Sequence, residues 1–371
     1  MAEPLIAQYG PDVPQAIARM VKAVHPRFDA DAFLHDALSG YEALALMPRG
    51  KHIARALHRH LPANYPDALG ILLASAQQPH GRDPGLSLAS FLFLPHTVFV
   101  AEFGLGHFDL SMQAQHALTQ RFTAEFSIRP FLQKHTQATL ERLMDWTRDP
   151  SEHVRRLVSE GTRPRLPWAS RLPAFQRDPM PVLALLERLK DDPALYVRRS
   201  VANNLNDIGK DHPGVLADTA NAWLKDATPE RQWVVQHALR SAVKRGEPGA
   251  LAALGFGAGA DVLIGQARIA PQSAVIGGKV AVTFDVTNNT AKPQRVLVDF
   301  AVHYIKANGA SRAKVFKLKT LDLAPHETQR MGKQISLAEM TTRKHYPGLH
   351  RVDVILNGRS QLLGSFDLSG G

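Results

Sequence analysis

Asp149-Pro150-Ser151-Glu152-His153-Val154-Arg155-Arg156-Leu157-Val158 and Asp192-Pro193-Ala194-Leu195-Tyr196-Val197-Arg198-Arg199-Ser200-Val201 are two copies of one phrase, set 43 residues apart. That period belongs to two-helix solenoid repeats. In each copy Asp-Pro reads as a helix start, with proline at the first position, where no N–H is needed. The valines, four apart, then share one buried face. A degenerate third unit begins near Pro229 and runs through Trp233-Val234-Val235 to Ala238-Leu239.

Upstream the spacing stays helical. Asp29 to Leu38 reads as a helix after an Asp start, followed by helices marked by Ile53, Ala54 and Leu57 and by Ala68 to Leu73. Gln77 to Pro84 reads as a loop, and Leu86 to Phe103 as a buried helix broken at Pro95. Helical spacing returns from His107 to Trp146, with Pro130 predicted to mark a boundary or kink. Glycines 246, 249, 255, 257 and 259 place a linker near 255–260.

Beyond that linker the apolar period becomes two. Val280, Val282, Phe284 and Val286 alternate with other residues, as do Val296, Val298, Phe300, Val302 and Tyr304, and later Val352, Val354 and Leu356. Asn288-Asn289, Asn308-Gly309 and Asn357-Gly358 fall between such runs, as hairpins require. About seven strands are expected, forming an immunoglobulin-like sandwich. The chain therefore reads as multidomain, an α-solenoid over residues 1–256 followed by an all-β sandwich over 261–371. Its 371 residues exceed the usual size of a single core.

Composition narrows the chemistry. With no cysteine, disulfides, iron–sulfur clusters and thiolate zinc sites are excluded. His52, His58 and His60 show no spacing that demands a metal, so neither metal nor cofactor is expected. Residues 1–12 lack the order of a signal peptide, and residues 85–101 fall short of a bilayer span, which leads to the expectation of a cytoplasmic protein. The net charge is +10, and residues 259–371 hold 15 Lys+Arg against 8 Asp+Glu. A basic end module suits a polyanion, nucleic acid being the commonest, with Arg312, Lys314, Lys317 and Lys319 as contact points. Solubility alone is the alternative.

Three acids stand out, Glu125, Glu160 and Asp207. Glu160 aligns with Asn203 of the second repeat, and Asp207 lies one helical turn further along the same face. Carboxylates converging inside a basic groove would oppose DNA binding alone. They suit a reaction that develops positive charge, such as glycosidic cleavage through an oxocarbenium-like sugar. Solvated surface acids are the plainer alternative. Arg163, Arg165, Arg171, Arg199 and Lys210 surround these acids and are read either as phosphate contacts or as local ion pairs. Trp168 is read either as a platform for a sugar or base or as core. No phosphate-cradling glycine loop and no nucleophile elbow is present.

The phrases Ala124-Glu125-Phe126-Ser127-Ile128-Arg129-Pro130-Phe131-Leu132, Ser159-Glu160-Gly161-Thr162-Arg163-Pro164-Arg165-Leu166-Pro167-Trp168-Ala169 and Val197-Arg198-Arg199-Ser200-Val201-Ala202-Asn203-Asn204-Leu205-Asn206-Asp207 resemble bacterial DNA alkylation repair proteins of the AlkC group. The resemblance covers essentially the whole chain, HEAT-like repeats and immunoglobulin-like tail included. It implies a monofunctional glycosylase acting on 3-methyladenine and 3-methylcytosine in double-stranded DNA, without full base flipping. By motif position it implies Glu160 and Asp207 as catalytic groups, Glu125 in support and Trp168 either against the lesion's deoxyribose or shaping the cleft. The assignment of Arg163, Arg165, Arg199 and Lys210 to DNA rests on charge and proximity instead. A monomer is expected. The reading from another class is a non-catalytic repeat scaffold that binds DNA or protein, and a further one is an RNA-binding repeat protein.

Overall fold

The computed structural model describes residues 5–79, 89–257, 260–340 and 343–370. The chain is an α-solenoid of helical repeats followed by an all-β immunoglobulin-like sandwich. It divides into two compact units, Met1–Asp211 and His212–Gly371.

The first unit opens with α1 (Asp12–Val24), α2 (Ala30–Leu38), α3 (Leu46–His60) and α4 (Tyr65–Ser75). Asp29 caps α2 by accepting the Ala32 N–H at 3.0 Å. Next come α5 (Leu94–Phe103), α6 (Phe108–Leu118), α7 (Ile128–Lys134) and α8 (Thr136–Trp146). Residues 80–88, and with them parts of the expected 77–84 loop and 86–103 helix, lie outside the described residues. Pro95 breaks nothing. It sits in the first turn of α5, after a 3₁₀ segment over Ala89–Phe93, where its missing N–H has no partner to lose. Pro130 likewise lies in the first turn of α7.

The repeat helices are α9 (Glu152–Gly161), α10 (Pro173–Arg177), α11 (Met180–Leu189) and α12 (Leu195–Ile208). Val154, Val158, Val197 and Val201 are fully buried, as their spacing predicts. The prolines, however, lie outside the helices, because the preceding aspartates fold over the chain. Asp149 accepts the Ser151 N–H at 2.8 Å and Asp192 the Ala194 N–H at 2.9 Å, so an extended residue intervenes before each helix. Arg155 donates to the carbonyls of Asp149 and Pro150, and Arg198 repeats this on Asp192 and Pro193. Arg155 Nε also reaches Asp192 at 2.6 Å, tying one repeat to the next.

The second unit begins with α13 (Pro213–Leu224), α14 (Pro229–Lys244) and α15 (Pro248–Ala253). Val234, Val235, Ala238 and Leu239 of α14 are fully buried. The strands follow: β1 (Val262–Ala270), β2 (Ser273–Val275), β3 (Lys279–Asn288), β4 (Gln294–Ile305), β5 (Ser311–Leu323), β6 (Thr328–Ser336), β7 (Gly348–Leu356) and β8 (Arg359–Ser369). One sheet has the order β1-β3-β6, the other β2-β8-β7-β4-β5. The eight strands among the described residues exceed the expected seven, and three-residue β2 is too short for periodicity to reveal. Even-numbered residues of β3 and β4, with Phe366, Leu321 and Met331, fill the space between the sheets.

Asn357-Gly358 is a two-residue hairpin turn between β7 and β8, with φ of 43° and 82°. Asn288-Asn289 is not a hairpin, because β3 and β4 belong to different sheets. The Asn288 side chain instead donates to Lys292 O and Ala324 O, each at 2.8 Å, and pins a crossing loop. Within this unit, Leu251 and Phe256 pack on Leu297, on the outer side of β4. Gly246, after α14, meets Gly358 so closely that a Cβ at either would lie within 2.8 Å of the other's backbone.

Candidate active site

The site is built where α9 and α12 pack side by side and where the segment before α7 reaches them. Gly161 permits the approach: a Cβ there would stand 2.5 Å from Ile128 Cγ2. Asn204 fastens α12 to the end of α9, donating to Ser159 O at 2.7 Å and to Thr162 Oγ1 at 3.1 Å.

Glu160 and Asp207 point to the same place. Arg163 Nη1 donates to Glu160 at 2.7 Å and its Nε to Asp207 at 2.8 Å, so one guanidinium joins acids from successive repeats. Asp207 also accepts from Lys210 at 2.7 Å, and Glu160 accepts from Ser200 Oγ at 2.6 Å. Glu125 stands beside them through Arg156, whose Nη1 is 2.8 Å from Glu125 and whose Nη2 is 3.6 Å from Glu160. Thr123 donates to Glu125 at 2.8 Å and accepts from Arg156 at 2.9 Å. Burial acts to lower the pKa of Arg156 and Arg163, yet the adjoining carboxylates raise both above the ordinary arginine value. Apart from Lys210, these side chains are at least partly withdrawn from water, and the pairs hold the acids in place.

Glu125, Glu160, Arg156 and Arg163 line a cavity of about 580 Å³, together with His153, Tyr196 and Trp168. Trp168 is 66 % exposed and holds a left-handed backbone, φ 64°. It is thus not core. The same indole lines a second cavity of about 570 Å³ with Met47, Val98 and Phe126.

The remaining predicted residues lie elsewhere. Asp207 and Lys210 sit behind Arg163, outside the lining of the 580 Å³ cavity. Arg165 turns to Asp211, its Nε 2.8 Å from the carboxylate, and ties the Trp168 loop to the end of α12. Arg199 is exposed on α12 and makes no ion pair among the described residues. Among the described residues no group of three or more His, Cys, Asp or Glu is placed to hold a metal, and no helix is long and apolar enough to cross a membrane.

Several contributors escaped the sequence reading. Arg156 stood inside the repeat phrase, although its place four residues before Glu160 on a helix was a usable signal. Its guanidinium also lies over the Tyr196 ring, 5.0 Å from the centroid. Arg129, 2 % exposed, carries the loop: it donates to Gly161 O at 3.0 Å, to Arg163 O at 2.9 Å and twice to Ser170 O. Burial, and secondarily the nearby Arg163, pulls its pKa down to about 10. Nothing in the local sequence marks it for carbonyls so far along the chain.

Over 351 residues, 94 % of the chain and 95 % of its relative, the protein is 36 % identical to the protein YhaZ of Bacillus subtilis. Residues 264–370 match the family described as "Uncharacterised protein YhaZ, C-terminal Ig-like domain". The structure superposes with a TM-score of 0.88 on Pseudomonas fluorescens alkylpurine DNA glycosylase AlkC bound to DNA containing an abasic site analog, at 40 % identity over 97 % of this chain and 98 % of that one. The chain belongs to the AlkC family. Its immunoglobulin-like tail places it in the AlkC subgroup with that domain. In this AlkC-family chain the three acids, Arg156, Arg163 and Trp168 come from four separate segments, and the repeat packing gathers them.

Proposed function

We propose that the chain is a monofunctional DNA glycosylase, hydrolysing the N-glycosidic bond of cationic N3-alkylated bases, 3-methyladenine and 3-methylcytosine, in duplex DNA. One arrangement carries the reading: Glu160 and Asp207, from successive repeats, share Arg163 at the edge of a cavity beside the exposed Trp168. The resemblance to a glycosylase whose structure holds an abasic-site analog supports it.

A base that already bears positive charge leaves as a neutral molecule when its bond to C1′ breaks, so no general acid is required. The electron deficiency passes to the sugar, where Glu160, with Glu125 and Asp207 near it, lowers the energy of the oxocarbenium-like state. Water adds at C1′ and gives its proton to a carboxylate. Arg156 and Arg163 hold the acids ready in the free protein. DNA phosphates compete for these guanidinium groups and leave the carboxylates facing the sugar. Trp168 lies against the deoxyribose, and the nucleotide need not turn fully out of the duplex. The chain acts without a cofactor, since the leaving group is activated by its own charge.

The test is base release from methylated duplex DNA by the purified chain, with products separated by type. Release of 3-methyladenine and 3-methylcytosine that falls away in Glu160→Gln is expected. A chain that binds the duplex and releases no base is a scaffold, and the proposal fails.

A further inference from the structure

The second unit holds a cavity of about 300 Å³, bounded by α14, the segment after α15, and strands β4 and β5. Four cations line it from three elements: Arg240 and Lys244 on α14, Arg295 on β4 and Lys317 on β5. The one carboxyl in the lining is Asp299. Asp299 is 6 % exposed and accepts the Leu318 N–H at 3.4 Å. Burial raises its pKa, while the Leu318 N–H and the charges of Lys317 and Lys244 act to lower it. Lys244 and Lys317 act on Asp299 only through space, and neither makes a salt bridge among the described residues.

The floor is apolar. Val243, Leu254 and Leu297 line it, and Leu297 is 4 % exposed. Arg295 is held at the wall, its guanidinium 5.3 Å from the Phe256 ring centroid and its Nη1 3.4 Å from Leu254 O. Like charges gathered on a concave surface repel one another unless an anion joins them. Arg295 Nε lies 3.7 Å from the exposed Asp322 carboxylate, while Lys244 and Lys317 make no salt bridge among the described residues. These two lysines beside the one carboxyl of the lining point to an anionic guest, and the floor asks that the guest have an organic part. Pockets near this size sit at the lower limit of those that enclose small ligands.

We propose that this cavity binds a phosphate ester, its phosphoryl oxygens between Lys244 and Lys317 with Arg240 and Arg295 beside them, and its organic portion on Leu254 and Leu297. The ester comes either from the backbone of a DNA strand or from a free nucleotide. The site is separate from the carboxylates of the first unit, so it stands whether or not the chain excises bases.

The experiment uses the full chain and three probes at fixed ionic strength: inorganic phosphate, dAMP and an undamaged duplex. Lys244→Ala/Lys317→Ala is compared with Lys292→Ala/Lys333→Ala, which removes the same charge at exposed positions outside the cavity lining. Equal melting temperatures establish that both variants are folded. If the source is a free nucleotide, wild type and control bind dAMP and the cavity variant binds it at least about tenfold more weakly. If the source is the DNA backbone, the cavity variant loses duplex affinity, and its log–log salt slope drops by about one to two units relative to the control. A cavity variant that matches the control with all three probes overturns the proposal.

Discussion

Arg163 and Asp207 stand 44 residues apart in the chain, and their side chains meet at 2.8 Å where Asp207 is 1 % exposed. The contact makes the repeat packing and the chemistry one problem, since the same guanidinium also holds Glu160. Arg163→Ala leaves two buried carboxylates facing each other with only Arg156, Lys210 and Ser200 as partners. The expected loss is about 3–5 kcal/mol of stability, as for any buried pair broken on one side. Chemical denaturation of the full chain measures it. A loss under about 1 kcal/mol would show that water reaches these acids freely.

Glu160→Gln and Asp207→Asn separate the reaction from the scaffold. Both amides keep the shape, but each loses one of two accepting oxygens and neither can balance positive charge on a sugar. Single-turnover excision of 3-methyladenine should fall by about 100-fold or more in each, the scale of a lost charge-stabilising or proton-accepting group. Duplex affinity should stay level or rise, because a negative charge has left the cavity lining in Glu160→Gln and the neighbourhood of Arg163 in Asp207→Asn. Wild-type excision rates in both variants would remove these acids from the mechanism.

Trp168 offers a cleaner split between stability and function. Its indole is 66 % exposed and its φ of 64° costs a bulky residue about 1 kcal/mol or more. Trp168→Gly should therefore leave the melting temperature unchanged or raise it, while weakening excision by about tenfold through the lost sugar contact. If stability drops and excision does not, the indole is a packing element after all.

The solenoid and the sandwich were both legible, because each rests on a period that recurs along the chain. The convergence of Glu160 and Asp207 was legible for the same reason: equivalent helices in a stack present equivalent positions together. What lies between the repeats was not. Arg129 reaches carbonyls 32 to 41 residues away, and no local pattern encodes a bond over that distance. Arg165 read as either a phosphate contact or a local ion pair; in the fold it pairs with Asp211, since charge alone does not say which opposite charge lies nearest. Asn288-Asn289 looked like a hairpin turn because turn residues also serve loops that cross between sheets. The Asp-Pro phrase marked a helix start, while the exact start depended on whether the aspartate or the proline met the first free N–H groups.

Gly161 sits next to Glu160, and its missing side chain sets how close α9 comes to α7. A methyl there meets Ile128 Cγ2 at 2.5 Å, well inside contact distance. Gly161→Ala should destabilise the chain by about 1–3 kcal/mol through overpacking, despite alanine's better helix propensity. Ile128→Ala in the same chain removes Cγ2 and should restore part of the lost stability by making room. A stabilised Gly161→Ala with full activity would show that the two helices separate without cost.

His96 gives the first unit a pH dependence of its own. The ring is 1 % exposed in α5, with Nε2 3.2 Å from Ser75 Oγ and, among the described residues, no partner at Nδ1. Ser75 donates its own hydrogen to Leu72 O, so Nε2 must carry the proton and Nδ1 is a bare buried lone pair. Burial lowers the pKa from 6.5 to about 4. Above pH 6.5 the ring is neutral in both states and nothing is lost. Between 6.5 and 4 the unfolded chain takes up a proton that the folded chain refuses, so stability falls as the pH falls. Below about 4 both states are protonated and the loss stops growing, at about 3 kcal/mol. His96→Gln retains a donor for Ser75 and removes the titration. The unfolding midpoint should therefore drop less between pH 7 and pH 4.5 in this variant than in the wild type. Equal drops would mean that a folded-state proton does reach Nδ1.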